Sequence, residues 1–319
     1  MKKGITKILS ACVFAFVVFL AAGTQSKAAV NMGVKQTGAG AVTVDLAWDA
    51  QLGAGHYHTQ FSQDGKNWID MDNSSSPSES VYNLTQGASY YARVVAYKGS
   101  HYTGTHVMIG VSETAIVSTK PTEVSGLTQT AAGVNSVSMS WNASAGAASY
   151  VIYGYINYNW TQIGTSATNS ATITGVAATT STRFSVAAVK NVTGGTVTGD
   201  QCSGVEMKAI PIKVSRIAMR YYWDSLKEAK YIWTDVNNAD GYQYEVKSAN
   251  GKKTYFRATS TNSYTYVKPF PRGIFVKARV RAYVTVGNKV YYGAWSPYTY
   301  HASSKKVTAK RAVTVKRFI

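Results

Sequence analysis

Apolar and polar residues alternate one by one over many short stretches of this chain. Val42-Thr43-Val44-Asp45-Leu46-Ala47-Trp48 and Val137-Ser138-Met139-Ser140-Trp141 both run into a tryptophan on a two-residue period. Successive side chains of an extended chain point to opposite faces, so this period predicts strands with one buried face. No window carries a sustained helical stripe, and the chain reads as all-β.

The pattern also repeats on a longer scale. Trp48, Trp141 and Trp233 lie 93 and 92 residues apart, and nine positions after each stands a tyrosine: Tyr57, Tyr150 and Tyr242. A second landmark follows at matching distance in the segments Tyr90–Tyr97 (YYARVVAY), Thr182–Val189 (TRFSVAAV) and Val276–Tyr283 (VKARVRAY). Six residues before those segments stand Leu84, Val176 and Phe270. Between the landmarks, Asp64-Gly65 and Asn250-Gly251 are dipeptides suited to a type I′ hairpin turn, while Asn157 and Asn159 give a weaker signal. Equal spacing repeated twice predicts three sandwiches of short strands rather than one large sheet.

These landmarks resemble the fibronectin type III family, which has a core tryptophan on its second strand, an aromatic opening the third, and a leucine six residues before a corner tyrosine. Leu84 and Tyr90 fit that corner, and Gly293-Ala294-Trp295-Ser296-Pro297 resembles the G-x-W-S segment of the last strand. Thr182 and Val276 replace the corner tyrosine, so the second and third corners close differently. The resemblance implies three tandem immunoglobulin-like modules over 30–121, 122–211 and 212–302, with joints near Lys120-Pro121 and Ile210-Pro211 and a basic tail over 303–319. In such modules the three tryptophans and their partner tyrosines are packing residues.

The first 29 residues read as an address. Lys2, Lys3 and Lys7 precede the apolar run 8–23, and small residues follow at Ala28-Ala29. This is the pattern of a secretory signal peptide, and it points to a secreted, bacterial protein. Beyond the leader, Cys202 is the lone cysteine, so no internal disulfide is expected.

Charge changes the picture most. Of 319 residues only 15% are charged, yet the formal net charge is +18. Residues 30–121 hold 5 basic and 7 acidic side chains, residues 122–211 hold 3 of each, and residues 212–319 hold 21 and 5. Thirteen of the 23 tyrosines fall in that last segment as well. Alternation puts Ala278, Val280 and Ala282 on the core face and turns Lys277, Arg279 and Arg281 outward. By the same rule Tyr242, Tyr244 and Val246 face inward, while Gln243, Glu245 and Lys247 face outward. In a type III sandwich these strands are neighbours, so a cationic plate relieved by Glu245 is expected. Lys305, Lys306, Lys310, Arg311, Lys316 and Arg317 extend the charge along the tail, as a flexible arm or an added edge strand. A concentrated positive field favours polyanions. The expected partner is therefore an anionic envelope polymer or acidic glycan. Nucleic acid is disfavoured, because no recognition helix, zinc finger or RNA-binding motif accompanies the charge.

Other chemistries find less support. There is no serine elbow, HExxH or phosphate-binding glycine loop, so neither catalysis nor a cofactor is expected. Asp235 and Asp240 are close in sequence, but both fall in a turn. His56 and His58 share a strand face, and His101 falls in a loop that the type III fold brings to the same end of the sandwich. Together they make candidate metal ligands. Tyr153, Tyr155, Tyr158 and Trp160 cluster at a hairpin and make an alternative platform for neutral glycan, although cross-strand pairing that stiffens the hairpin is the favoured account of them.

Overall fold

A computed structural model describes residues 29–99, 106–223, 225–270 and 275–302. The leader and the 303–319 tail lie outside the described residues, as does His101. Among the described residues all regular structure is strand, and no helix is long and apolar enough to cross a membrane. The chain divides into two compact units. One runs to Thr119 and includes Val192–Gly195; the other comprises Lys120–Asn191 with Thr196 onward.

The first unit contains β1 (Lys35–Ala39), β2 (Val44–Ala47), β3 (His56–Ser62), β4 (Ile69–Ser74), β5 (Ser78–Val81), β6 (Ser89–Lys98), β7 (Val107–Val111) and β8 (Ala115–Ser118). They form a three-stranded sheet β1-β2-β5 and a second sheet β4-β3-β6-β7, with β8 also on β6. This is the order of an immunoglobulin-like sandwich of the type III kind.

In the second unit the same order appears twice. The strands are β9 (Thr128–Gly133), β10 (Ser136–Ser140), β11 (Ser149–Ile156), β12 (Asn159–Ser166), β13 (Ser170–Thr174), β14 (Thr182–Val192), β15 (Gly195–Thr198) and β16 (Val205–Met207). Then come β17 (Ile217–Trp223), β18 (Glu228–Trp233), β19 (Gly241–Ser248), β20 (Thr254–Ser260), β21 (Tyr264–Val267), β22 (Phe275–Val286), β23 (Lys289–Tyr292) and β24 (Thr299–Ala302). Their sheets are β13-β10-β9 with β12-β11-β14-β15, and β17-β18-β21 with β20-β19-β22-β23. The chain is thus all-β, built from immunoglobulin-like sandwiches.

Three cores lie between these sheet pairs, and each is anchored by the repeating tryptophan and tyrosine. Trp48–Tyr57, Trp141–Tyr150 and Trp233–Tyr242 meet edge to face at 5.4, 5.2 and 5.5 Å. Each tyrosine hydroxyl accepts the backbone N–H of the residue three after the tryptophan: Gln51 at 3.0 Å, Ser144 at 3.0 Å and Val236 at 2.7 Å. The apolar ring is buried while its polar tip is satisfied, which is the arrangement a buried tyrosine needs. Leu84, Val176 and Phe270 are buried and donate their backbone N–H to Val42, Asn135 and Lys227 at 3.0, 3.0 and 2.6 Å. At the first corner Tyr90 adds a hydroxyl that accepts from Thr85 N–H at 2.9 Å. In the third, Val276 goes into the core instead, and the corner is held by the backbone bond and by Phe270, which is fully buried.

The hairpin expectations are corrected. Asp64-Gly65 and Asn250-Gly251 sit in loops of five or six residues in which only the glycine is left-handed, at φ 72° and 78°. The two-residue turn is the one with the weaker signal. Ile156 pairs with Asn159, and Asn157 and Tyr158 are both left-handed at φ 50° and 64°. That is the type I′ conformation, which matches the twist of the flanking strands.

Candidate functional site

The cations expected to share a face do so, on the sheet β20-β19-β22. Burial along β22 alternates as predicted, with Val276, Ala278, Val280 and Ala282 in the core. Register then sets the rows across the sheet. Gln243 is opposite Arg281, Glu245 opposite Arg279, and Lys247 opposite Lys277. On its other side Glu245 faces Arg257 of β20.

Glu245 does not relieve the plate from the surface, as the alternation had implied. Its side chain is 0% exposed, whereas those of Lys247, Arg279 and Arg257 are 20%, 24% and 54% exposed. Arg257 donates through Nε and Nη2 to Oε2 at 3.1 and 2.5 Å. Arg279 Nε reaches Oε1 at 2.6 Å, the Tyr298 hydroxyl donates to the same oxygen at 2.9 Å, and Lys247 Nζ lies 3.3 Å away. The carboxylate is covered because long cationic side chains close over it from both neighbouring strands. Burial alone would push its acidity down; hydrogen bonds from Arg257, Tyr298 and Arg279 outweigh that and hold the pKa at about 2.

Above this row the guanidinium groups are stacked between aromatic rings. Arg281 lies 3.8 Å from the Tyr292 ring centre and 4.5 Å from that of Trp295. Arg279 lies 4.3 Å from Trp295 and 4.8 Å from Tyr298, and Lys277 is 4.7 Å from Tyr298. The sequence Tyr292–Arg281–Trp295–Arg279–Tyr298–Lys277 is one alternating pile of rings and cations. Each contact is worth roughly 0.5–2 kcal/mol. Arg281 is further fixed by two bonds to Gln243 Oε1, at 2.9 and 2.6 Å, and burial lowers its pKa below the usual guanidinium range. Stacking covers the flat faces of the guanidinium groups, so an anion meets their edges.

Sequence reasoning did not place Tyr292, Trp295, Tyr298 or Arg257 in this group. A signal existed: aromatics at i, i+3 and i+6 shortly after a strand with a cation at every second position. The segment carrying Trp295 was expected as part of the last strand, but residues 293–298 lie between β23 and β24. That irregular path lets the rings reach over β22. Lys305, Lys306, Lys310, Arg311, Lys316 and Arg317 lie outside the described residues.

Tyr155 and Trp160 form an edge-to-face cross-strand pair at 5.3 Å, with Tyr153 two residues before Tyr155 on the same strand. A side chain at Gly204 would meet the Trp160 ring at 2.7 Å, so the indole lies directly on backbone. Tyr158 is at the turn, 89% exposed. His56 and His58 do share a face, 5.4 Å apart, and are joined by His106 and Tyr97. His56 Nδ1 is 3.0 Å from the Gly99 carbonyl, and its ring is stacked on Tyr97 at 5.2 Å. Among the described residues no three His, Cys, Asp or Glu side chains are grouped to hold a metal ion. Asp235 caps Val236 N–H and accepts from the Tyr242 hydroxyl. Asp240 pairs with Lys208 at 2.6 Å and accepts Thr285 N–H at 2.7 Å. Both carboxylates are thus engaged in holding turns.

No protein-family model matches the sequence, and no curated protein matches it. Among solved structures, the chain is similar to the crystal structure of chicken CNTN1 FN1-FN3 domains. The TM-score is 0.35 at 15% identity, over 86% of this chain and 98% of that one.

Proposed function

We propose that the chain is a non-catalytic, secreted or cell-surface binding protein of three modules, 30–121, 122–211 and 212–302, whose third module holds an anionic envelope polymer or acidic glycan. The observation that carries this reading is the composition of one sheet face. Arg257, Lys247, Lys277, Arg279 and Arg281 share that face with a single carboxylate, so four positive charges remain after Glu245 is satisfied. The rings of Tyr292, Trp295 and Tyr298 hold Lys277, Arg279 and Arg281 in fixed positions, and Glu245 holds Arg257 and Lys247, so little side-chain freedom is lost when a polymer binds. The leader supports export, and the tail cations at Lys305, Lys306, Lys310, Arg311, Lys316 and Arg317 supply additional counter-charge.

The test is retention of the full chain on immobilised poly(glycerol phosphate) and on a neutral glucan as NaCl is raised. Retention on the phosphate polymer is expected to fall steeply between low and physiological salt, and to fall again in the combined Lys247→Gln, Lys277→Gln, Arg281→Gln variant. Equal retention on the neutral glucan, insensitive to salt, supports instead the rival reading of a neutral-carbohydrate accessory protein built on Tyr153, Tyr155, Tyr158 and Trp160.

A further inference from the structure

The other sheet of the same sandwich, β17-β18-β21, carries a second organised surface that sequence reasoning did not identify. Its inward residues Ile217, Met219, Tyr222, Ala229, Tyr231 and Val267 are fully or nearly fully buried. Its outward residues are aromatic and basic. Tyr221, Lys230 and Tyr266 form one row across the three strands, since Tyr221 pairs with Lys230 and Lys230 with Tyr266. Trp223 lies one step along β17 and Tyr264 one step along β21.

The rings make a continuous patch. Tyr221 and Trp223 are 5.5 Å apart, Trp223 and Tyr266 are 6.1 Å apart, and Tyr266 and Tyr264 are 6.0 Å apart. Lys230 is at its middle, with its ammonium 4.7 Å from the Tyr264 ring and 5.0 Å from that of Tyr266. The bulge between Met219 and Tyr221 leaves Arg220 exposed beside the patch, its guanidinium 5.7 Å from the Tyr221 ring. Glu228 is the only carboxylate on these three strands, and Lys268 holds it at 3.5 Å.

We infer that this face is a binding platform for a polymer of acidic sugars, with Trp223, Tyr221, Tyr264 and Tyr266 stacking on pyranose faces and Lys230 pairing with a sugar carboxylate. Two features select this occupant. Tyr264 and Tyr266 remain 41% and 49% exposed, although burial of either ring in the core would stabilise the fold more. The charge is positive and centred among the rings, so the surface complements an anion attached to a ring-shaped, C–H-rich unit. A polyol phosphate offers the anion without the flat face, and a neutral glucan offers the face without the anion. The inference does not rest on the reading of the opposite sheet.

The experiment is affinity electrophoresis of the full chain in gels containing polygalacturonate, long-chain polyphosphate or a neutral β-glucan. Polygalacturonate is expected to retard the protein, and to do so still when the opposite sheet is weakened by Lys247→Gln, Lys277→Gln and Arg281→Gln, the background in which the following substitutions are compared. Tyr264→Ser with Tyr266→Ser is expected to weaken that retardation tenfold or more, and Lys230→Gln several-fold. Retardation by polyphosphate is expected to be the same with and without the two Tyr→Ser substitutions, because that probe offers no sugar face, and to fall slightly in Lys230→Gln, which removes one positive charge. Trp223→Phe, which keeps a ring in place, is expected to retain most of the uronate binding, whereas Trp223→Ala is expected to lose it. Matched melting curves for the Ser variants separate lost binding from lost folding. The inference is overturned if polygalacturonate does not retard the parent, or if the folded double Ser variant is retarded as strongly. It is also overturned if the neutral glucan binds equally well and Lys230→Gln has no effect. Loss of polyphosphate binding alone would count against the opposite sheet and leave this platform standing.

Discussion

Gln60 and Glu245 stand twelve residues after Trp48 and Trp233, and the backbone treats them alike. Gln60 pairs with Asp70 on one side and Arg93 on the other, as Glu245 pairs with Arg257 and Arg279. Both central residues accept a hydrogen bond from the arginine of the longer neighbouring strand, Arg93 Nε at 2.8 Å and Arg279 Nε at 2.6 Å. Both arginines lie over a tryptophan, Arg93 over Trp68 at 4.1 Å and Arg279 over Trp295 at 4.3 Å. What differs is charge. The first unit runs acid–amide–cation, with Gln60 donating to Asp70 at 2.6 Å, and the row sums to zero. The second runs cation–acid–cation, and the row keeps a positive charge. The same register and stacking geometry thus give a neutral surface in one unit and a cationic one in the other, which locates the specialisation in the side chains at these rows.

Removing the central residue should separate the two rows most sharply. Glu245→Ala leaves Arg257, Arg279 and Tyr298 facing a vacated buried position, and should destabilise the second unit by about 3–5 kcal/mol. Gln60→Ala removes two hydrogen bonds between an uncharged amide and charged partners, Arg93 and Asp70, at a less buried place and should cost about 1–2 kcal/mol. Urea unfolding of the full chain, followed by calorimetry of each variant, reads both. Equal losses would mean that the two rows do the same structural work.

Acid provides the next test. The Glu245 pKa is about 2 in the fold, below its ordinary 4.5, so its contribution is complete above pH 4.5 and disappears as pH falls toward 2. Burial takes His301 from 6.5 to about 4, so keeping that imidazole neutral costs nothing above pH 6.5 and progressively more down to pH 4. His301 is 3% exposed, and its Nε2 is 3.0 Å from Thr299 Oγ1. The second unit should therefore lose about 2–3 kcal/mol between pH 7 and pH 4, mostly through His301. His301→Gln should flatten that part of the profile and leave the fall below pH 4.5. A profile unchanged by the substitution would remove His301 as its cause.

A smaller contrast is expected from exchanging the stacked cations. Arg279→Lys keeps the charge but loses the flat group that fits between Trp295 and Tyr298, at an expected cost of about 1–2 kcal/mol. Arg93→Lys loses one ring contact and should cost about half as much. Tryptophan emission should shift more in the first variant than in the second.

Period-two alternation and the Trp–Tyr spacing made most of the fold legible, because burial on one sheet face imposes a pattern that survives in a single sequence. The same rule placed Lys247, Lys277, Arg279 and Arg281 on one face. It could not show that Glu245 is buried, because alternation assigns a side of the sheet and says nothing about what covers it. The covering groups come from Arg257, one strand away, and from the irregular segment that carries Trp295 and Tyr298. The platform around Lys230 escaped notice for a related reason: its five residues come from three strands, and only the pairing of β18 with β17 and β21 joins them.

Hairpins extend the comparison to a third sheet and give the smallest effect. Asp64-Gly65 and Asn250-Gly251 have glycine where the backbone is left-handed, whereas β11 and β12 meet at Asn157-Tyr158 with the tyrosine at φ 64°. A side chain with a β-carbon is disfavoured there, while glycine adopts that conformation freely. Tyr158 is also 89% exposed, so its ring has little packing to lose. Tyr158→Gly should therefore raise stability by about 0.5–1 kcal/mol, making this turn resemble the Asn-Gly sequence that two-residue hairpins favour. Thermal unfolding checks the sign. A loss of stability would show that the ring makes contacts worth more than the backbone strain, and would return Tyr158 to consideration as part of a surface with Tyr155 and Trp160.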